Sequence, residues 1–277
     1  MTAWRSLVRA LYLPCTLIGT PQCTPLRIDT MIKSAFTSVA LIGAVIAPLL
    51  SATAQAPVHR YNLNNSLSDA NGGPSLVSDG GTLSAAGYAF GPNQGLRLTG
   101  AFADPGNYSI VIRSMFTGTT YNGWRKMLDL KDRSTDEGYY SDPSFAAVMY
   151  NISTRVAGAY TLGSPQMTVL TRDASTNIFS AYVGGVQRFS VVDGSGIGTF
   201  SAANLARFFE DDFVGINGEA SSGSVDYIAI YDTALTASQA QGLQVITTDA
   251  APEPASLALL GTGLIVVGGF ARRRVKR

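Results

Sequence analysis

Short stretches of alternating apolar and polar residues recur from residue 55 to about residue 249, separated by segments rich in Gly, Ser, Thr, Asn and Asp. Because successive side chains of a β-strand point to opposite faces, this pattern predicts antiparallel strands. The predicted strands are 59–63, 88–90, 95–98, 108–116, 124–131, 145–150, 167–172, 178–183, 186–192 and 223–232. The pattern therefore predicts an all-β fold.

Some of these elements carry more specific predictions. The run 108–116 is apolar on both faces for part of its length, which predicts a central strand. Gly184 and Gly185 lie between two alternating runs, which predicts a tight hairpin, since a primed turn needs positive φ. The run 124–131 alternates, so we expect one buried and one wet face. Thr236 is a candidate cap for a short helix at 237–243.

The first 54 residues contain a predicted secretory signal. Met31 opens a basic region, an apolar stretch follows at 35–50, and Ala52-Thr53-Ala54 is a small-residue cleavage site. This predicts a signal peptide at 31–54, cut between Ala54 and Gln55.

Residues 1–30 precede this signal and have no evident role. We interpret them as the product of a mis-assigned start codon, with Met31 as the true start; a long charged leader is the alternative. Cys15 and Cys23 are the only cysteines of the chain. The predicted mature chain therefore has no disulfide, thiol nucleophile or cysteine metal site.

A linker of small residues at 244–251 leads to a membrane-directed tail at 252–277. Its uncharged run at 255–271 would span about 26 Å as a helix, close to a hydrocarbon core of about 30 Å. Basic residues at 272–277 should stay in the cytoplasm and place the bulk of the protein outside. The candidate signal residues are Pro252, Glu253, Pro254, Arg272, Arg273 and Arg274.

This order of triplet, span and basic end resembles the PEP-CTERM sorting signal of Gram-negative bacteria. The resemblance implies export through the secretory translocon, transient anchoring in the inner membrane by the C-terminal helix, and processing by an exosortase. The protein would then reach the cell surface or extracellular matrix. An uncleaved single-pass anchor and a buried core helix are the alternatives.

The region between the two signals is similar to a laminin-G-like or concanavalin-like jelly-roll sandwich of two antiparallel sheets. The similarity is carried by 222–239, 61–67, 125–132 and the hairpin at 176–189. It covers roughly 58–243, which predicts one domain at 55–243. Members of this family most often bind sugars or proteins, and some are glycoside hydrolases or lyases, so the fold alone does not decide function.

Charge and composition exclude several functions. Between the signals, 11 Lys and Arg stand against 17 Asp and Glu, a net charge of −6, which argues against binding nucleic acid. His59 is the only histidine and is interpreted as structural. A histidine-based triad and an ordinary zinc site are therefore excluded. Glycosidase chemistry needs two carboxyl groups, and no strand carries a suitable glutamate pattern, although a pair built from Asp stays open.

Two kinds of binding site remain. Carboxylates at strand ends would suit Ca²⁺, with plain solvated turns as the alternative. The candidate ligands are Asp69, Asn71, Asp211 and Asp212. Aromatic residues in loop sequence would stack on sugar rings, with burial on the sandwich as the alternative. The candidates are Tyr121, Trp124, Tyr139 and Tyr140.

The sequence thus favours an exported, non-catalytic protein that binds an extracellular polysaccharide or a surface protein. A polysaccharide-degrading enzyme of the same fold is the second hypothesis. A ligand-free structural surface protein is the third.

Overall fold

A computed structural model of the chain describes residues 55–118, 120, 122–214 and 218–243. Fourteen strands and one short helix are present in this part of the chain. The strands are β1 (His59–Tyr61), β2 (Val77–Ser78), β3 (Thr82–Ser84), β4 (Gly87–Phe90), β5 (Leu96–Thr99), β6 (Tyr108–Phe116), β7 (Arg125–Asp129), β8 (Tyr139–Ser141), β9 (Ala147–Met149), β10 (Gln166–Asp173), β11 (Ile178–Val183), β12 (Val186–Val192), β13 (Leu205–Phe208) and β14 (Gly223–Tyr231). The helix is α1 (Ala237–Gly242).

The strands form two antiparallel sheets, as expected. The larger sheet has the order β12-β11-β10-β6-β14-β4-β3, with β1 paired to the same edge of β14 as β4. The smaller sheet has the order β2-β5-β13-β7-β8-β9. Apolar side chains of both sheets share one core, which includes Ile110, Leu128 and Phe208. The described region is therefore a β-sandwich.

Several local predictions are confirmed. β6 covers Tyr108–Phe116 and is central, because it pairs with both β10 and β14. Gly184 and Gly185 turn the β11–β12 hairpin with φ of 60° and 75°. Thr236 caps α1 in a capping box with Gln239, and Ala240 of the helix packs on the outer face of the larger sheet.

Other predictions need correction. The strands β2, β3, β8 and β13 were not predicted. Of these, β2, β3 and β8 have only two or three residues, which carry too little alternation to recognise. The prediction of a wet face on 124–131 is wrong, because all five residues of β7 are buried. Two loops cover that outer face and remove it from water.

Several predicted features lie outside the described residues. They are the leader at 1–30, the signal peptide with Ala54, the linker, and the sorting signal with its spanning helix and Pro252, Glu253, Pro254, Arg272, Arg273 and Arg274. Within the described residues, no helix is both long and apolar enough to cross a membrane.

Candidate functional site

Two loops cover the outer face of the smaller sheet. They are the 130–138 loop between β7 and β8, and residues 209–214 and 218–222 of the connection between β13 and β14, here called the 209–222 loop. The second loop runs beside β7, where Lys126 N donates to Glu219 O over 2.8 Å. The loops also bind each other, since Phe213 N donates to Arg133 O over 3.1 Å. Charged side chains of β7 are therefore enclosed between the sheet and the loops.

The centre of this enclosed layer is Lys126. Its Nζ donates to Asp212 Oδ2 over 2.9 Å and lies 3.0 Å from Asp129 Oδ2. The side chains of Lys126 and Asp129 have no exposed surface, and that of Asp212 has 2%. The Tyr140 ring lies 5.2 Å from the ammonium. A lysine paired with two carboxylates is thus held away from water, where charges interact strongly.

Two further carboxyl groups extend this layer toward solvent. Oxygens of Asp136, Asp212 and Glu219 lie within 4.8 Å of one another. Burial, together with the charges of Asp136, Asp211 and Asp212, raises the pKa of Glu219 to about 7, despite a hydrogen bond from Asn122. Burial and the charge of Asp212 also raise the pKa of Asp136. We call Lys126, Asp129, Asp136, Asp212 and Glu219 the lysine cluster.

A group of aromatic side chains adjoins the lysine cluster. The Trp124 ring meets Tyr140 edge to face at 5.6 Å and Tyr150 at 5.7 Å. The Arg155 guanidinium lies 4.7 Å above the indole. Trp124 and Tyr150 are partly exposed, and Arg155 is exposed. Trp124, Tyr150 and Arg155 therefore present a surface to solvent beside the carboxyl groups, and together with the buried Tyr140 they are here called the tryptophan group.

A separate charged group lies further along the smaller sheet. Arg207 Nη1 donates to Glu210 Oε2 over 3.0 Å, and Arg97 Nε donates to Asp79 Oδ1 over 3.0 Å. Burial and the adjacent Asp79 carboxyl raise the pKa of Glu210 to about 7, although Arg207 opposes the shift. Glu210 is thus a carboxyl group that holds its proton to higher pH than an exposed glutamate does.

The structure does not bring the four predicted calcium ligands together. Asp69 lies in the turn after β1, where its oxygens accept from Arg60 N, Asn71 N, Gly73 N and the His59 ring. Burial alone would raise the pKa of Asp69, but these bonds lower it to about 2. Asp69 and His59 therefore hold a turn, as expected of the histidine.

The two aspartates of the 209–222 loop have different roles. Asp211 accepts from the backbone of Asp212, Gly218 and Glu219, so it folds the loop on itself. Asp212 faces Lys126, whose ammonium supplies the positive charge that a metal would bring. No metal is therefore assigned to the lysine cluster, and calcium binding stays a prediction.

The expected exposure of Tyr139 and Tyr140 is wrong. Both lie in β8 and are fully buried. The Tyr139 hydroxyl bonds that of Tyr160 over 2.8 Å, and the Tyr140 hydroxyl donates to Asp136. Trp124 is partly exposed as expected, and Tyr121 lies outside the described residues.

Sequence reasoning missed most of both groups. Alternation placed Asp129 on the face opposite Leu128 and Leu130, and Glu219 was interpreted as a turn or strand-end residue. Lys126 and Asp136 were not singled out. Tyr150 and Arg155 follow β9 without a motif. The adjacent charges Arg125-Lys126 within a predicted strand were the one available signal, because charged residues on both faces of a strand require partners somewhere.

Comparison with known proteins identifies the tail and the fold. The PEP-CTERM protein-sorting motif matches residues 250–275. This motif indicates an exported protein that is anchored in a membrane during sorting, processed by exosortase, and then displayed at the surface. No curated protein matches the chain.

Solved structures resemble the sandwich at low identity. Trypanosoma rangeli sialidase in complex with 2,3-difluorosialic acid is 16% identical with a TM-score of 0.51, covering 69% of this chain and 31% of that chain. A mutant of that sialidase displaying trans-sialidase activity is 15% identical with a TM-score of 0.53, covering 68% and 32%. Domain 4 of AbnA, a GH43 extracellular arabinanase from Geobacillus stearothermophilus in complex with arabinotriose, is 19% identical, covering 68% and 98%. The TM-score of this arabinanase domain is 0.48. The sandwich therefore shares its fold with about a third of the sialidase chain.

Proposed function

We propose that this protein is a non-catalytic binder of extracellular polysaccharide, displayed by a Gram-negative bacterium after exosortase processing. The observation that carries the proposal is the partly exposed Trp124, bordered by Tyr150 and Arg155. Aromatic rings offer apolar faces for sugar rings, and Trp, Tyr and Arg dominate binding energies at recognition surfaces. Glu219 and Asn122 lie beside the tryptophan group and can accept or donate hydrogen bonds to hydroxyl groups.

We assign the sandwich to the laminin-G-like or concanavalin-like jelly rolls. The long strand β14 followed directly by the capped helix α1 agrees with the closing segment of that family. This assignment supports a binding role, since such sandwiches carry their sites on loops at the end of the sheets.

Trp124 also supplies the assay. In a Trp4→Phe background it is the only tryptophan of the chain, so its fluorescence reports directly on stacking. We expect exopolysaccharide purified from the producing cells to shift the emission, and Trp124→Ala to weaken binding in a pull-down by about 10- to 30-fold.

A matched variant controls for folding. Tyr227→Ala removes a partly exposed aromatic from the outer face of the larger sheet and should leave binding unchanged. An unchanged emission spectrum together with a flat glycan array would contradict the proposal and favour a ligand-free structural protein.

Glycoside hydrolysis is the second candidate, favoured by one observation. Glu219, with a pKa of about 7, could hold the proton of a general acid while Asp136 or Asp212 acts as the second carboxylate. In that case the wild type should release reducing sugar from the same polysaccharide, and Glu219→Gln should reduce the rate by about 100-fold or more. Binding without release would exclude this activity on that substrate.

A further inference from the structure

Lys126 and Asp212 have the placement of a nucleophile and its acyl partner. Nζ of Lys126 donates to Asp212 Oδ2 over 2.9 Å, and both side chains are buried. The residues come from different elements, β7 and the 209–222 loop. Reacting groups held at hydrogen-bond distance avoid most of the entropic cost of meeting.

The reaction requires the neutral amine of lysine, because an ammonium has no free electron pair. An ammonium and a carboxylate lose their hydration in the interior, so transfer of one proton to give a neutral amine and a neutral acid becomes less costly than in water. A neutral lysine amine is a nucleophile. The Tyr140 ring over the ammonium helps to exclude water.

Two neighbouring carboxyl groups can carry the protons. Asp129 Oδ2 lies 3.0 Å from Nζ on the other side, where it can accept a proton from the attacking amine. A carboxyl oxygen of Asp136 lies within 4.8 Å of one of Asp212. Burial raises the pKa of Asp136, and in its protonated form this carboxyl can donate to the departing oxygen.

We propose that Lys126 and Asp212 condense into an intramolecular amide. Nζ attacks Cγ of Asp212, the C–N bond forms, and one C–O bond breaks. The two hydrogens lost from nitrogen and acid leave with that oxygen as one water molecule, and no oxidant or cofactor is required. Asp129 and Asp136 act as base and acid and are regenerated.

Asp212 is the acyl partner rather than Asp129 for two reasons. Only the contact to Asp212 has hydrogen-bond geometry, and Asp129 Oδ1 already accepts from Lys131 N and Arg133 N. The amide would join positions 86 residues apart and fasten the 209–222 loop to β7. Such a bond would give an exported domain without cysteine in its described part a covalent crosslink.

Mass spectrometry of the tryptic peptides of the gene product from its own cells tests the proposal. No Lys or Arg lies between Arg207 and Arg272, so the peptide that holds Asp212 extends into the tail, and its mass is calculated from the C-terminus determined in the same experiment. We expect one branched tryptic product joining Lys126 to Asp212, lighter than the sum of its parts by about 18 Da, the mass of one water. Cleavage after Lys126 should be lost.

Three variants make the test specific. Lys126→Arg keeps the charge and Asp212→Ala removes the acyl group, and both should give only unlinked peptides. Lys131→Arg alters the other lysine of the described region and should retain the link. Unlinked wild-type peptides with normal cleavage after Lys126, or a link to Asp129, would overturn the proposal.

Discussion

Lys126→Met should lower the free energy of unfolding by about 3–5 kcal/mol, the range for removing one partner of a buried ion pair. The side chain is fully buried between Asp129 and Asp212, so the variant leaves two enclosed carboxylates without their cation. Chemical denaturation at pH 8 measures the change.

The loss should be smaller at acid pH. Carboxylates that lack a partner in the interior take up protons more readily, and protonation removes the unpaired negative charge that destabilises the variant. Lys131→Met is the matched control, because Lys131 Nζ bonds only the carbonyls of Gly196 and Thr199 among described contacts. A loss below about 1 kcal/mol for Lys126→Met at pH 8, within the range of exposed ion pairs, would show that Lys126 is solvated.

The sequence pattern predicts the sandwich because strand alternation and turn formation depend on residues that are close together in the chain. β6 is apolar on both faces, and the structure gives it a neighbour on either side. Gly184 and Gly185 adopt the positive φ that a two-residue hairpin requires. Thr236 and Gln239 form a capping box within four residues. In each case the residues that decide the structure are adjacent in sequence.

The lysine cluster could not be predicted for the opposite reason. Lys126 and Asp212 are 86 positions apart, and alternation along β7 says nothing about which loop covers its outer face. The charged residues of β7 suggested that its outer face contacts water. In the structure, the 209–222 loop covers this face and places Asp212 against Lys126. The burial of these charges therefore depends on contacts between distant parts of the chain.

The tryptophan group could be predicted from the sequence only in part. Trp124 stood out because it follows Asn122-Gly123 in a polar loop, and its partial exposure agrees with that reading. Tyr139 and Tyr140 have equally polar neighbours in sequence but form β8, whose three residues are all buried. Three residues are too few for alternation to distinguish a strand from a loop.

Stability of the folded domain should be greatest near pH 5 and fall as the pH rises to 8. Glu210 has a pKa of about 7 in the fold against an ordinary value of 4.5. Between these values the folded protein keeps a proton that the unfolded chain has released, so unfolding becomes more favourable as the pH rises. At about 1.4 kcal/mol per pKa unit, Glu210 accounts for up to about 3 kcal/mol of this loss.

Other carboxyl groups also contribute to the pH dependence of stability. Glu219, also with a pKa of about 7, adds a smaller loss in the same direction because it is partly exposed and screened. Asp69 has the opposite sign. Its pKa is about 2 in the fold against 3.8, so its contribution is complete above pH 3.8 and disappears as the pH falls toward 2. These shifts together place the optimum between about pH 4 and pH 5.

The Glu210→Gln variant isolates the contribution of Glu210 to the pH dependence of stability. Glutamine resembles the protonated glutamic acid, so the variant should match the wild type at pH 5 and exceed its stability at pH 8, which flattens the slope. Thermal unfolding at intervals from pH 4 to pH 8 measures both curves. Glu137→Gln changes a partly exposed glutamate and should retain the wild-type slope. A wild-type stability that rises steadily from pH 5 to pH 8 would mean that Glu210 is ionised in the fold, neutralised by Arg133 and Arg207.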